Sequence, residues 1–141
     1  MKVVQKRLSC DHSEKYLVSL ADGHTVETLY MVDEERRLTF NSTVCISSQV
    51  GCHMGCRFCA TGRQGFIRNL TVQEIVGQVE LCNRTRKNAK KTSLEAVVFA
   101  GMGEPLRNYD QVKAAVLELR SRWGLRQFEL ATVGIVPKIY E

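Results

Sequence analysis

Cys52, Cys56 and Cys59 fall within the eight-residue run Cys52-His-Met-Gly-Cys56-Arg-Phe-Cys59. This spacing offers three thiolates from one tight loop. Thiolates are the ligands of iron–sulfur clusters, and a cubane normally takes four. Three would leave one iron without a protein partner. An open coordination position separates a metal centre that binds a reactant from one that only braces a fold. The run therefore points to a cluster that does chemistry.

Other uses of these cysteines fit less well. A structural zinc site takes four ligands, usually two C-x2-C pairs or one such pair with two histidines. No second pair is present, His53 is adjacent to Cys52 and badly placed for the same ion, and Cys10, Cys45 and Cys82 each stand alone. A disulfide framework belongs to oxidising compartments, and residues Met1 to Cys10 carry no apolar segment of the signal-peptide kind. No stretch approaches the roughly 18 apolar residues of a membrane span. These features predict a cytoplasmic chain with reduced thiols and no membrane partner.

The thiol loop must be held by the elements around it. The chain has 141 residues, 44% of them hydrophobic, enough for one modest core. Tyr16 to Leu20 and Thr25 to Tyr30 flank Ala21-Asp-Gly-His24, and Asp-Gly between apolar runs predicts a hairpin. Val44 to Ser48 is a short β-prone run leading into the loop. Beyond the loop the period changes. Thr71-x-x-Glu74 reads as a capping box, and Val72, Ile75, Val76 and Val79 follow at helical spacing. Glu95 to Ala100 is a nearly continuous apolar run, as in a strand buried on both faces. Asn108 is expected to cap a second helix with Val112, Ala115, Val116 and Leu119 on one stripe, and Gly124 to end it. Phe128 to Thr132 reads as a further strand. Alternation of strand and helix predicts an α/β unit with a parallel sheet and right-handed crossovers.

The C-x3-C-x2-C spacing, with the aromatic Phe58 before its third cysteine, resembles that of the radical S-adenosylmethionine (radical SAM) superfamily. Three segments narrow the resemblance: Cys45-Ile-Ser-Ser-Gln-Val-Gly-Cys52, Cys59-Ala-Thr-Gly-Arg-Gln-Gly-Phe66-Ile-Arg-Asn-Leu, and Ala100-Gly-Met-Gly-Glu-Pro-Leu-Arg-Asn108. In this order they look like the RlmN/Cfr family of radical SAM RNA methyltransferases, with likeness running from about Leu8 to Pro137. The resemblance implies a partial (βα)6 TIM-like barrel, its first βα units only, preceded by a small β-hairpin region. Residues 1–42 would be the hairpin region and residues 43–141 the N-terminal half of the core. A half-barrel would leave its third strand with an unpaired edge, so the isolated chain is expected to be marginal or partner-dependent.

The resemblance also implies roles. Cys52, Cys56 and Cys59 would hold a [4Fe–4S] cluster whose open iron chelates S-adenosylmethionine. Phe58, Gly103 and Glu104 would bind that cofactor, Glu104 facing its ammonium, a sensible ionic pairing. Cys45 would be the redox partner of a methyl-carrying cysteine, releasing product through a disulfide. Glu27 would accept the proton that leaves the adenine ring. The implied partners are rRNA, tRNA and a flavodoxin-like electron donor. Plainer readings exist: Cys45 as a small buried apolar residue, Glu27 as an exposed hairpin carboxylate, and Gly101 to Pro105 as an ordinary turn.

Two departures from the family pattern stand out. The methyl-carrying cysteine of the family is missing, and neither Cys82 nor Cys10 is placed to substitute for it. The family's Ser-Thr-Ser-Gly after the third strand is Ala131-Thr-Val-Gly134 here, without either serine hydroxyl. Arg84 to Lys91 carries five basic residues, which would suit phosphate contacts or a solvated loop, and the net charge of +5 is compatible with RNA. Three functions follow as alternatives: methylation of adenine at carbon 2, with carbon 8 as the variant chemistry of the Cfr branch; a catalytically inactive fragment that binds a cluster or RNA; and a structural zinc module.

Overall fold

The structure is a computed structural model and describes residues 1–32, 42–87 and 94–140. Residues 88–91 of the basic run at 84–91 lie outside the described residues. Six strands form one mixed sheet in the order β1 (Lys2–Leu8), β2 (Glu14–Ser19), β3 (Thr25–Val32), β4 (Ser42–Cys45), β7 (Ala96–Phe99), β8 (Gln127–Leu130). Pairing is antiparallel from β1 to β4 and parallel from β4 through β7 to β8. A second, two-stranded sheet pairs β5 (Gln49–Gly51) with β6 (Phe66–Asn69). The helices are α1 (Ala60–Arg63), α2 (Val72–Lys87), α3 (Tyr109–Trp123) and α4 (Val136–Ile139).

The expected hairpin is present: β2 and β3 pair across the Asp22-Gly23 turn, with Ser19 opposite Thr25. β1 extends it, an element the sequence reading did not foresee. The capping box also forms, with Glu74 accepting from the Thr71 amide at 2.9 Å and Thr71 Oγ1 accepting from the Glu74 amide at 3.3 Å. Gly124 takes a left-handed conformation and its amide donates to the Arg120 carbonyl, ending α3 as anticipated.

Asn108 departs from expectation. It occupies the N-cap position of α3 but makes no cap hydrogen bond. Its amide group donates instead to the carbonyls of Ser48 and Leu70, both at 2.8 Å. Among the described residues these two buried carbonyls have no other side-chain donor, and they outbid a helix amide that the preceding 3₁₀ turn, Pro105–Asn108, leads into smoothly.

The pleat divides the large sheet into two unlike faces. Tyr16, Val18, Val26, Tyr30, Val44, Val97 and Phe99 point to one face and are buried. They pack with Ile75, Val76 and Val79 of α2 and Val112, Ala115 and Leu119 of α3. Each such side chain contributes about 1.5–3 kcal/mol on burial, so this layer carries most of the driving force for the fold. The opposite face bears a cross-strand row, Arg7, Lys15, Leu29, Cys45, Val98 and Glu129, with Leu17 and Glu27 in the next row. None of these is fully buried.

Arg68 of β6 ties the hairpin to α2. Its Nε donates to Asp22 at 2.7 Å and its two Nη groups grip Glu74 bidentately at 2.8 Å. Hydrogen bonds from Arg68 are the main reason that both carboxyls titrate below their ordinary values. A lowered folded-state pKa gives stability that is present above the ordinary carboxylate range and is lost as pH falls through the lowered values. Denaturant midpoints measured from pH 7 to pH 2 should therefore drop below about pH 4. In Arg68→Met the curve should start lower at pH 7 and be flatter; an unchanged acid limb would refute the coupling.

Candidate functional site

The thiol loop runs from Cys52 to Cys59, between β5 and α1. Its entry is set by Gly51, whose φ is +74° and where a Cβ would lie 1.9 Å from the Gly65 carbonyl oxygen. Only glycine fits there. The Cys52 amide donates to that same carbonyl at 2.9 Å, so the loop closes onto the start of β6. Within it the Cys59 amide donates to the Cys56 carbonyl at 3.0 Å, and Arg63 to the Cys59 carbonyl at 3.2 Å. All three thiols are free and partly exposed. The His53 ring stacks on Phe66, with centroids 3.5 Å apart, which accounts for this histidine without a metal. Phe58 is 91% exposed.

Three segments meet at one edge of the parallel strands, each just beyond a strand's C-terminal end: 46–49 after β4, 100–105 after β7 and 131–134 after β8. That edge is where open and closed α/β sheets place their sites. The contacts between the segments are specific. The amides of Ser48 and Gln49 both donate to the Met102 carbonyl, at 2.8 and 3.2 Å. Ser47 Oγ accepts from the Met102 amide at 2.9 Å and donates to the Glu27 carbonyl at 2.7 Å. Gln49 Oε1 accepts from the Glu104 amide at 2.9 Å, while its Nε2 donates to Asn69 at 2.8 Å.

Gly103 has φ of +102°, and a Cβ on it would meet the Gln49 side chain at 2.6 Å. Its missing side chain thus makes room for Gln49. Glu104 is 3% exposed, and its carboxylate accepts from the Leu106 amide, the Thr132 hydroxyl and the Val133 amide.

Cys45 and Glu27 lie on the same open face, on the neighbouring strands β4 and β3. Cys45 stands opposite Leu29, two residues along from Glu27. Glu27 pairs with Lys15 Nζ at 2.9 Å. Burial raises the Cys45 thiol above its ordinary value of 9.0, opposed by a hydrogen bond from the Ala100 backbone.

A profile of the radical SAM superfamily matches residues 46–141. The chain belongs to the radical SAM superfamily. The match begins one residue after Cys45 and takes in all three converging segments. Among curated relatives, the dual-specificity RNA methyltransferase RlmN of Magnetococcus marinus is 46% identical over 98% of this chain and 38% of that protein. A probable dual-specificity RNA methyltransferase RlmN of Dictyoglomus thermophilum is 44% identical over 92% of this chain and 37% of its own length. A crystal structure of a radical SAM methyltransferase from Sphaerobacter thermophilus superposes with a TM-score of 0.88 at 38% identity, covering 98% of this chain and 40% of that one. The chain thus spans about 40% of the length of the relatives it matches.

Membership of the superfamily implies a [4Fe–4S] cluster and S-adenosylmethionine, and the residues present fit both. The thiol loop supplies three unpaired, partly exposed sulfur ligands. Among the described residues, no three His, Cys, Asp or Glu side chains converge as they would on a single ion. A cubane takes one thiolate per iron, so its ligands stand apart and no such convergence is needed. No described helix is long and apolar enough to cross a membrane.

Several residues that position the site escaped the sequence reading: Gln49, Gln78 and Thr132. Gln78 carried the clearest signal, a polar residue on the apolar stripe between Ile75 and Val79. It is fully buried, accepting from Thr28 Oγ1 at 2.9 Å and the Ser47 amide at 2.8 Å and donating to the Ser47 carbonyl at 3.0 Å. Replacing it by methionine, of similar volume, should cost about 3 kcal/mol in urea unfolding, because these partners lose their bonds in a dry setting. A cost below about 1 kcal/mol would mean that water replaces the amide. The raised Cys45 pKa predicts that iodoacetamide at pH 7.5 labels Cys45 much more slowly than the exposed Cys10, with the gap closing above about pH 9. Peptide mapping by mass spectrometry reads both rates; equal labelling would contradict it.

Proposed function

We propose that this chain is the cluster- and cofactor-holding part of a radical SAM RNA methyltransferase that acts on carbon 2 of an adenine in rRNA, with tRNA as a second substrate. On this reading residues 1–42 are the hairpin region and residues 43–141 the first βα units of the barrel. The reading is supported by the convergence of segments 46–49, 100–105 and 131–134 at the C-terminal edge of the parallel strands, with the three-thiol loop beginning three residues after the first of them. Nothing in a zinc module calls for that arrangement.

Cys52, Cys56 and Cys59 would ligate three irons, leaving the fourth for the cofactor. The bound cluster and S-adenosylmethionine supply one-electron reductive chemistry and the methyl group, with the electron coming from a flavodoxin-like donor. The chain's own groups do the rest. Glu104, fixed by its own amide and by three donors, presents a carboxylate to the cofactor ammonium. On the same reading Phe58 and Gly103 would contribute to binding the cofactor. Glu27 takes the proton that must leave the ring when carbon adds to it, and its ion pair with Lys15 Nζ at 2.9 Å holds the carboxylate in place on the open face. Cys45 would give one of the two sulfurs of the disulfide that releases the product, the other being that of the methyl-carrying cysteine, which residues 1–141 do not supply. Reduced thiols of this kind suit the cytoplasm.

Anaerobic reconstitution with iron and sulfide, followed by dithionite reduction and electron paramagnetic resonance, tests the reading. About four irons per chain and a cluster signal that shifts on adding S-adenosylmethionine are expected. Alanine at Cys52, Cys56 or Cys59 should abolish the signal. Zinc in place of iron, or a signal indifferent to the cofactor, would overturn it.

A further inference from the structure

Thr132 belongs to the segment Ala131-Thr-Val-Gly134, where two serine hydroxyls expected by resemblance are absent. Its own hydroxyl is engaged in a directed way. Thr132 Oγ1 accepts a hydrogen bond from the Gly134 amide at 3.1 Å. That bond occupies the acceptor side of the hydroxyl and leaves its single proton for another partner. The proton goes to Glu104 Oε1, at 2.6 Å.

A carboxylate offers about four acceptor positions. Among the described residues, Oε1 of Glu104 takes two donors, the Leu106 amide at 3.0 Å and the Thr132 hydroxyl, and Oε2 takes one, the Val133 amide at 2.9 Å. The donors come from both sides: Leu106 lies in the 3₁₀ turn that follows Glu104, while Thr132 and Val133 follow β8. The Glu104 amide is itself held by Gln49. The side chain is therefore fixed at its root and across both oxygens, with one acceptor position left on Oε2. Such a group is set in advance for a cationic donor, and pre-organisation saves the ordering cost of binding.

We infer that Thr132 is a positioning residue for the cofactor: its hydroxyl orients Glu104 toward the ammonium of S-adenosylmethionine, a role this segment keeps without the two serine hydroxyls. The inference rests on the reading of Glu104 given above. It assigns to this segment a role through Glu104, whereas the absent serine hydroxyls would have touched the cofactor directly.

The test uses the whole chain with reconstituted cluster, titrated with S-adenosylmethionine and followed by the change in the cluster's paramagnetic signal. Thr132→Val should raise the dissociation constant about tenfold, and Thr132→Ser should restore it, since a bond to a charged acceptor is among the stronger kinds. A purely structural role would weaken every ligand alike. An analogue of the cofactor lacking the α-amino group should instead bind Thr132→Val and the parent chain equally. Glu104→Gln should weaken S-adenosylmethionine, and adding Thr132→Val to it should cost nothing more. If Glu104→Gln weakens binding while Thr132→Val does not, or if the valine penalty persists with the amino-lacking analogue, the inference on Thr132 is wrong. If Glu104→Gln binds like the parent chain, the reading of Glu104 itself fails.

Discussion

Irregular backbone buried in a protein interior must have every amide and carbonyl satisfied, and the segment from Ile46 to Gln49 is where this fold meets that demand. The Ile46 amide donates to Val98, and its carbonyl accepts from Gly101. Ser47 has both backbone groups held by Gln78. The Ser48 and Gln49 amides share the Met102 carbonyl, and the Ser48 carbonyl receives Asn108 and the Leu70 amide. Seven of the eight backbone groups of these four residues are thus held by named protein partners. These four residues join Cys45 to the thiol loop. Whatever fixes them fixes the distance between the open-face cysteine and the three thiols.

The donors and acceptors that satisfy this segment come from parts of the chain far apart in sequence. Gln78 lies on α2, Asn108 leads into α3, and Met102 lies beyond β7. Each uses a group that its own element could have spent locally. Asn108 gives up a helix cap, and Gln78 gives up a solvated face. Buried polar networks carry a high penalty when incomplete, so these side chains lock α2, the turn before α3 and the β7 loop onto one stretch of backbone. The shape of the site is in this sense a by-product of satisfying four peptide units.

The two faces of the large sheet divide the work. One is sealed by α2 and α3 and supplies the hydrophobic driving force. The other keeps Lys15, Glu27, Cys45 and Glu129 partly exposed around Leu17, Leu29 and Val98. Alternation along β3 and β4 places Glu27 and Cys45 on the open face because Thr28, Tyr30 and Val44 occupy the closed one. A one-residue slip of register would exchange these sets. The antiparallel pairing that starts at the Asp22-Gly23 turn, and the Arg68 bridge from that turn to α2, guard against it.

Much of this was legible in the sequence. The thiol spacing, the hairpin, the capping box, the buried β7 run and the Gly124 stop are short-range signals, fixed by a few neighbouring residues and their backbone preferences. The family likeness rests on the same local segments. What lay beyond the sequence is long-range. Asn108 looked like a cap because its neighbours favour one, but two carbonyls from 38 and 60 residues away claim it. Gly103 is expected by resemblance at the cofactor, and only the structure shows that a Cβ there would also meet Gln49. Thr132 looked like the remnant of a depleted motif, and its hydroxyl is aimed at a carboxylate 28 residues earlier. Local propensity determines which elements form. Which buried polar group answers which other is decided only when packing removes water and leaves each donor a single acceptor within reach.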